Sequence, residues 1–115
     1  MVKIERFEDS VVWQKSRQFT LECYNNFSAL RDFSFRDQIQ RAAVSIMNNI
    51  AEGFERRSNK EFVQFLYISK GSCAEVRSML YLSLDLKYID KANFTKLYDC
   101  SIEISRILHG LIKTL

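Results

Sequence analysis

Four runs of apolar residues recur at steps of three and four along this chain, and no proline interrupts any of them. Steps of three and four hold side chains on one face of an α-helix, whereas a half-buried strand needs strict alternation. Proline inside a helix removes a hydrogen bond and clashes with the preceding turn. Its absence, with only three glycines in the chain, also denies an all-β fold the residues its many turns require. The chain must therefore be helical along most of its length.

The first run is Val12, Ser16, Phe19, Cys23, Phe27 and Leu30, which predicts a helix from about Glu8 to Leu30. Arg31 to Ser34 reads as a polar turn around Phe33. The second run is Phe35, Ile39, Ala42, Ile46, Ile50 and Phe54, with Gly53 placed to end that helix in a left-handed cap. Ser58-Asn59-Lys60-Glu61 is a capping box and starts the third helix. Its face runs Phe62, Phe65, Leu66, Ser69, Cys73, Val76, Leu80 and Leu84, and it should end near Lys87. Asp90 can cap the fourth helix, whose face is Phe94, Leu97, Ser101, Ile104, Leu108, Leu111 and Leu115.

Long helices with short connections run antiparallel to their neighbours. The expected fold is all-α: an antiparallel up-down-up-down four-helix bundle forming a single domain over residues 1–115. Apolar residues also lie off the main stripes. These are Val11, Trp13 and Tyr24, then Val63, Tyr67, Met79, Leu82 and Leu86, then Tyr98, Ile102 and Ile107. A helix apolar on two sides is buried on two sides, so the chain is expected to be oligomeric.

At 47% hydrophobic and 27% charged, the composition is that of a globular protein. No stretch approaches the roughly 20 apolar residues of a membrane span. Met1 to Phe7 alternates charged with apolar residues and lacks the apolar core of a signal peptide, so the expected location is cytoplasmic. Cys23, Cys73 and Cys100 are few, odd in number and sit on apolar stripes, as small buried hydrophobes do.

Each helix carries a glutamate, namely Glu22, Glu52, Glu75 and Glu103, but no Glu-x-x-His pair exists to complete a di-iron centre. His109 is the only histidine and reads as a residue favoured near a helix C-terminus. No phosphate loop, dinucleotide fingerprint or nucleophile elbow is present. No enzyme activity, cofactor or metal is expected.

Two polar groupings stand out. Arg41, Ser45, Asn48 and Glu52 lie along one side of the second helix, and Gln64, Gly71, Glu75 and Ser78 have compatible spacing on the third. They read as a network between helices or subunits, with Arg41, Asn48, Glu52, Gly71 and Glu75 as its candidate members. Gly71 costs about 1 kcal/mol against alanine in mid-helix, which suggests that another backbone packs against it. The second grouping is basic. The net charge of +3 is mild, and residues 34–60 hold a surplus of two. Arg56 and Arg57, with Lys60, Arg41 and Arg36 taken as neighbours, form the candidate phosphate-contacting patch, with Phe54 and Tyr67 as stacking surface.

Three stretches carry a family resemblance. They are Phe7-Glu8-Asp9-Ser10-Val11-Val12-Trp13-Gln14-Lys15, the run from Gln38 to Phe54 containing Asn49-Ile50-Ala51-Glu52-Gly53, and the run from Lys60 to Glu75 ending Gly71-Ser72-Cys73-Ala74-Glu75. The chain resembles the bacterial four-helix bundle proteins encoded within 23S rRNA intervening sequences. The resemblance implies a ring-shaped homopentamer. It also implies kinship with the accessory proteins of diversity-generating retroelements, which bind nucleic acid and a reverse transcriptase. It brings no catalytic residues. Met47 stands where many members have proline, and Glu55 where many have glycine. The first departure predicts a straighter second helix and the second a more acidic corner.

The sequence thus supports an oligomeric accessory protein that binds RNA or DNA. The alternative is a scaffold that binds another protein through its apolar surface.

Overall fold

The computed structural model describes residues 5–115; the reading of Met1 to Phe7 lies partly outside the described residues. A short 3-10 turn, Phe7–Asp9, precedes four helices: α1 (Val11–Phe27), α2 (Phe33–Phe54), α3 (Asn59–Asp85) and α4 (Lys91–Thr114). The direction of each helix is fixed by its cross-contacts. As numbers rise along α2 they fall along α3: Gln38 meets Glu75, Ser45 meets Ser72, Ile46 meets Ser69 and Gly53 meets Phe62. The same reversal relates α1 to α2 (Thr20 to Ala43), α3 to α4 (Cys73 to Ser101) and α4 back to α1 (Glu103 to Lys15, Lys96 to Glu22). Helices on the diagonals do not approach one another. This is the expected antiparallel four-helix bundle, 44 Å long and about 20 Å across, as a 27-residue helix rising about 1.5 Å per residue requires.

The predicted stripes form the core. Phe19, Phe27, Ile39, Ile46, Ile50, Leu66, Leu80, Leu97, Ile104 and Leu108 are buried. The serines within the stripes turn onto backbone carbonyls. Ser16 donates to Val12, Ser101 to Tyr98, and Ser69 crosses to the Ile46 carbonyl at 2.6 Å. A buried hydroxyl without a partner would be costly. These hydroxyls are satisfied, and their small side chains let α2 and α3 pack closely.

The termini depart from the sequence reading in ways local chemistry explains. Ser10 is extended, so α1 begins at Val11 rather than Glu8, and Phe7 packs edge-on against Trp13 at 5.1 Å. The helix stops at Phe27, short of Leu30. Phe33 and Ser34 belong to α2, because the Asp32 side chain accepts from the Phe35 amide and starts the helix there. Gly53 is not a left-handed cap: no described glycine has positive φ, and α2 runs on to Phe54. α2 is also unbroken through Met47. The expected caps at Ser58 and Asp90 form, accepting from the Glu61 and Asn93 amides.

The left-handed residue is Lys87, at φ 61°. The Tyr88 amide donates to Ser83 at 2.8 Å and the Lys87 amide to Leu84 at 3.1 Å, which is a Schellman closure of α3. Tyr88 then turns its hydroxyl onto Asp32 at 2.7 Å, tying the α3–α4 connection to the α1–α2 connection. This bond, with the Phe35 amide, holds the Asp32 carboxyl below its ordinary range. Its contribution is present above the ordinary carboxylate pKa and fades as pH falls through the lowered one. A non-glycine residue in this backbone region costs about 1 kcal/mol or more. Lys87→Gly is therefore expected to raise the melting temperature by about 3 °C, after allowing for the extra freedom glycine gives the unfolded chain. An unchanged or lower midpoint in thermal circular dichroism would contradict this.

The off-stripe apolar residues divide. Trp13, Met79, Tyr98 and Ile107 pack against the core, widening it. Val11, Tyr24, Tyr67, Leu82 and Leu86 remain exposed.

Candidate nucleic-acid interface

The candidate cations are placed by α2 and by the corner where it turns into α3. At the corner, Gly53 lets α3 come close: a Cβ there would stand 2.8 Å from the Phe62 ring and 3.0 Å from the Phe65 Cβ. Phe54 and Phe62 pair at 4.8 Å, and the Arg56 guanidinium lies 4.5 Å over the Phe65 ring. That cation–π contact fixes Arg56 without neutralising it. Arg57 and Lys60 are exposed beside it. None of these three cations is in an ion pair among the described residues, although Glu52, Glu55 and Glu61 balance their charge in number.

The other predicted members do not join them. Arg36 lies at the opposite end of α2, about 30 Å away at 1.5 Å per residue. There it pairs with Asp37 at 3.0 Å and covers the Phe33 ring at 4.7 Å. Arg41 sits partway along, in a shallow hollow with Tyr24, Asp37, Gln40 and Val44. The five-residue patch therefore reduces to a corner of three cations and two separate arginines. A helix spreads residues 36 to 60 along its length, so closeness in sequence is not closeness in space.

Within the chain, polar bonds join α2 to α3 and include Glu75 and Ser45 of the expected residues. Gln38 donates to Glu75 at 2.7 Å, Ser45 and Ser72 share a bond of 2.8 Å, and Asn49 donates to the Ser45 carbonyl at 2.8 Å. Arg41, Asn48 and Glu52 are exposed and outside these bonds. The spacing argument found the right side of α2 but missed the rotation: Asn49, four residues after Ser45, is the asparagine turned toward that serine. Gly71 faces open space within this chain. Apart from its own helix, nothing among the described residues lies within 4 Å of where its Cβ would be. The close approach is at Gly53.

No group of three His, Cys, Asp or Glu residues among those described could hold a metal ion. Burial pushes the Cys23, Cys73 and Cys100 thiols up, away from the thiolate form that nucleophilic chemistry uses. His109 stands 1.5 turns before the end of α4, not in its last turn, and its Nδ1 lies 3.3 Å from the Lys70 Nζ. No helix among the described residues is long and apolar enough to cross a membrane.

No curated protein sequence matches the chain. Among solved structures, a protein of unknown function from the S23 ribosomal protein family of Bacteroides thetaiotaomicron VPI-5482 superposes with a TM-score of 0.85. The two are 28% identical, and the match covers 90% of this chain and 99% of that one. The match to the family of 23S rRNA-intervening sequence proteins runs from residue 8 to residue 110, and with the shared bundle it establishes that this chain belongs to that family.

Proposed function

We propose that this chain is a non-catalytic nucleic-acid-binding accessory protein that works as a homo-oligomer, with a ring of five as the expected form. The observation that carries the reading is the corner of Arg56, Arg57 and Lys60, three exposed cations with no ion-pair partner among the described residues, one of them held in place by Phe65. Phosphate contacts need free cations of this kind, since an arginine already in an ion pair has less to gain from a phosphate. The nearby glutamates keep the affinity of one copy low. An assembly offers several copies to one polyanion, and the linked contacts bind far more tightly than each alone. Exposed Val11, Leu21, Tyr67, Ile68 and Leu82 favour self-association.

Binding of the purified protein to labelled structured RNA and duplex DNA, across a salt series and with mass measured in the same buffers, tests this. Affinity should fall steeply with salt. In Arg56→Ala/Arg57→Ala the slope for duplex DNA should shrink by about 1.8 per copy engaged, and affinity at low salt should fall about tenfold. An assembly that binds neither probe at low salt would favour a protein-binding scaffold that uses the same apolar residues.

A further inference from the structure

Five carboxylates lie between Phe62 and Thr114: Asp85 and Asp90 where α3 and α4 meet, and Glu75, Asp99 and Glu103 within the two helices. Two of these last three have partners on other helices. Glu75 is bonded to Gln38 of α2, and Glu103 is paired with Lys15 of α1 at 2.8 Å. Lys96, the cation that would otherwise follow α4, is likewise drawn to Glu22 of α1 at 3.5 Å.

Three further cations stand along this side of the bundle. Lys70 reaches across the α3–α4 seam to His109 of α4. Arg77 places its Nη1 3.6 Å from the Cys73 Sγ, and that thiol is bonded to the Ser101 carbonyl of α4, so Arg77 lies on the same flank. Arg106 borders a hollow on α4 with Tyr98, Asp99, Ile102 and Glu103. Lys70, Arg77 and Arg106 have no ion-pair partner among the described residues. Next to them stands an aromatic cluster. Tyr81 packs on Phe94 at 5.3 Å and on Tyr98 at 5.7 Å, and Phe94 and Tyr98 stack at 5.7 Å with a 24° tilt. Tyr81 is 52% exposed, so one ring of a rigid cluster is presented to solvent. About 16 Å of helix separates Tyr81 from Lys70.

We infer that the α3–α4 seam is a binding track for single-stranded nucleic acid, with a base stacked on Tyr81 beside Tyr98 and the backbone phosphates on Arg77, Lys70 and Arg106. This rests on the nucleic-acid reading above and adds a strand preference and a second surface to it. Unpaired cations alone would suit any polyanion. An exposed aromatic ring within reach of them suits an unstacked base, which a duplex cannot offer. The balance of charge favours this seam: the corner of α2 and α3 has as many acids as bases, while the seam sets three cations against Asp99 and Glu103, the second of them paired with Lys15.

Fluorescence anisotropy with a labelled single-stranded oligoribonucleotide and a duplex of equal length, each titrated with the intact assembly, separates the possibilities. Tyr81→Leu keeps an apolar side chain against Phe94 but removes the stacking ring. It should weaken single-strand binding about tenfold and leave duplex binding within about twofold. Tyr81→Phe should bind as the wild type does. Arg77→Gln/Arg106→Gln should lower the single-strand salt slope by about 1.4. Photocrosslinking of a thiouridine-substituted strand should map to the peptide containing Tyr81 or Tyr98. If Tyr81→Leu, at an unchanged melting temperature, binds the single strand like the wild type while Arg56→Ala/Arg57→Ala does not, the seam assignment is wrong and the broader reading stands. If Tyr81→Leu changes the assembly mass instead, the seam is a contact between copies and the assignment is again wrong. If the wild type binds neither probe, both readings fall together.

Discussion

Phe27→Ala should destabilise the bundle by about 4 kcal/mol. Phe27 has no exposed surface and meets the Phe35 ring edge-on at 5.8 Å. Phe35 in turn meets Tyr88 edge-on at 5.3 Å, and the Tyr88 hydroxyl is bonded to Asp32. One aromatic chain thus closes the end of the bundle where both the α1–α2 and α3–α4 connections lie. Removing its buried ring loses transfer free energy and leaves a cavity that rigid helices refill poorly. It also removes an edge-to-face pair worth about 1 kcal/mol. Urea denaturation at fixed protein concentration measures this as a lower midpoint at unchanged slope. A loss below about 1.5 kcal/mol would mean that this end of the bundle relaxes easily and does not clamp the two connections.

The second large effect is at Gly53. Gly53→Val should cost about 3 kcal/mol and lower the melting temperature by about 10 °C. A Cβ at this position already meets Phe62 at 2.8 Å and Phe65 at 3.0 Å, and valine adds two methyl groups beyond it. α2 and α3 must then move apart where Ser69 and Ser45 bind across them, and Arg56 loses its seat on Phe65. Gly53→Ala is milder, because the helix propensity gained, about 1 kcal/mol, offsets part of the clash. The contrast with Gly71 isolates the tertiary component. Gly71→Ala makes the same local change in open space, so it should stabilise by nearly the full propensity difference. If alanine at 53 stabilised as much as alanine at 71, the close approach of α3 to Gly53 would be refuted.

These two glycines also mark where sequence stops being informative. Both are helical residues preceded by a periodic apolar run, Gly53 at the end of α2 and Gly71 in the middle of α3, and the sequence offered a cap for one and a tight contact for the other. The fold overturned the cap at Gly53 and placed nothing of the described chain against Gly71. Helix periodicity is a property of residues three and four apart, so the four helices, their buried stripes and the caps at Ser58 and Asp90 could be read from the chain itself. The antiparallel order followed from short connections. A glycine's role depends instead on what lies opposite it, and that is set by how the helices are rotated.

The same holds for charge. The sequence supplied the cations of α2 and the corner, and it located the right side of that helix for a polar network. It could not choose Asn49 over Asn48, because a difference of one residue is a rotation of about 100° whose reference is the neighbouring helix. Nor could it find the seam of α3 and α4. Those helices carry mixed charge in sequence, and cations outnumber free acids along the seam because Glu75 is bonded to Gln38 of α2 and Glu103 is paired with Lys15 of α1. What the residues determined alone was local: which segments are helical and which face of each is apolar. What the tertiary structure decided was every property that needs two helices at once, because packing sets which flank of one helix meets which flank of the next.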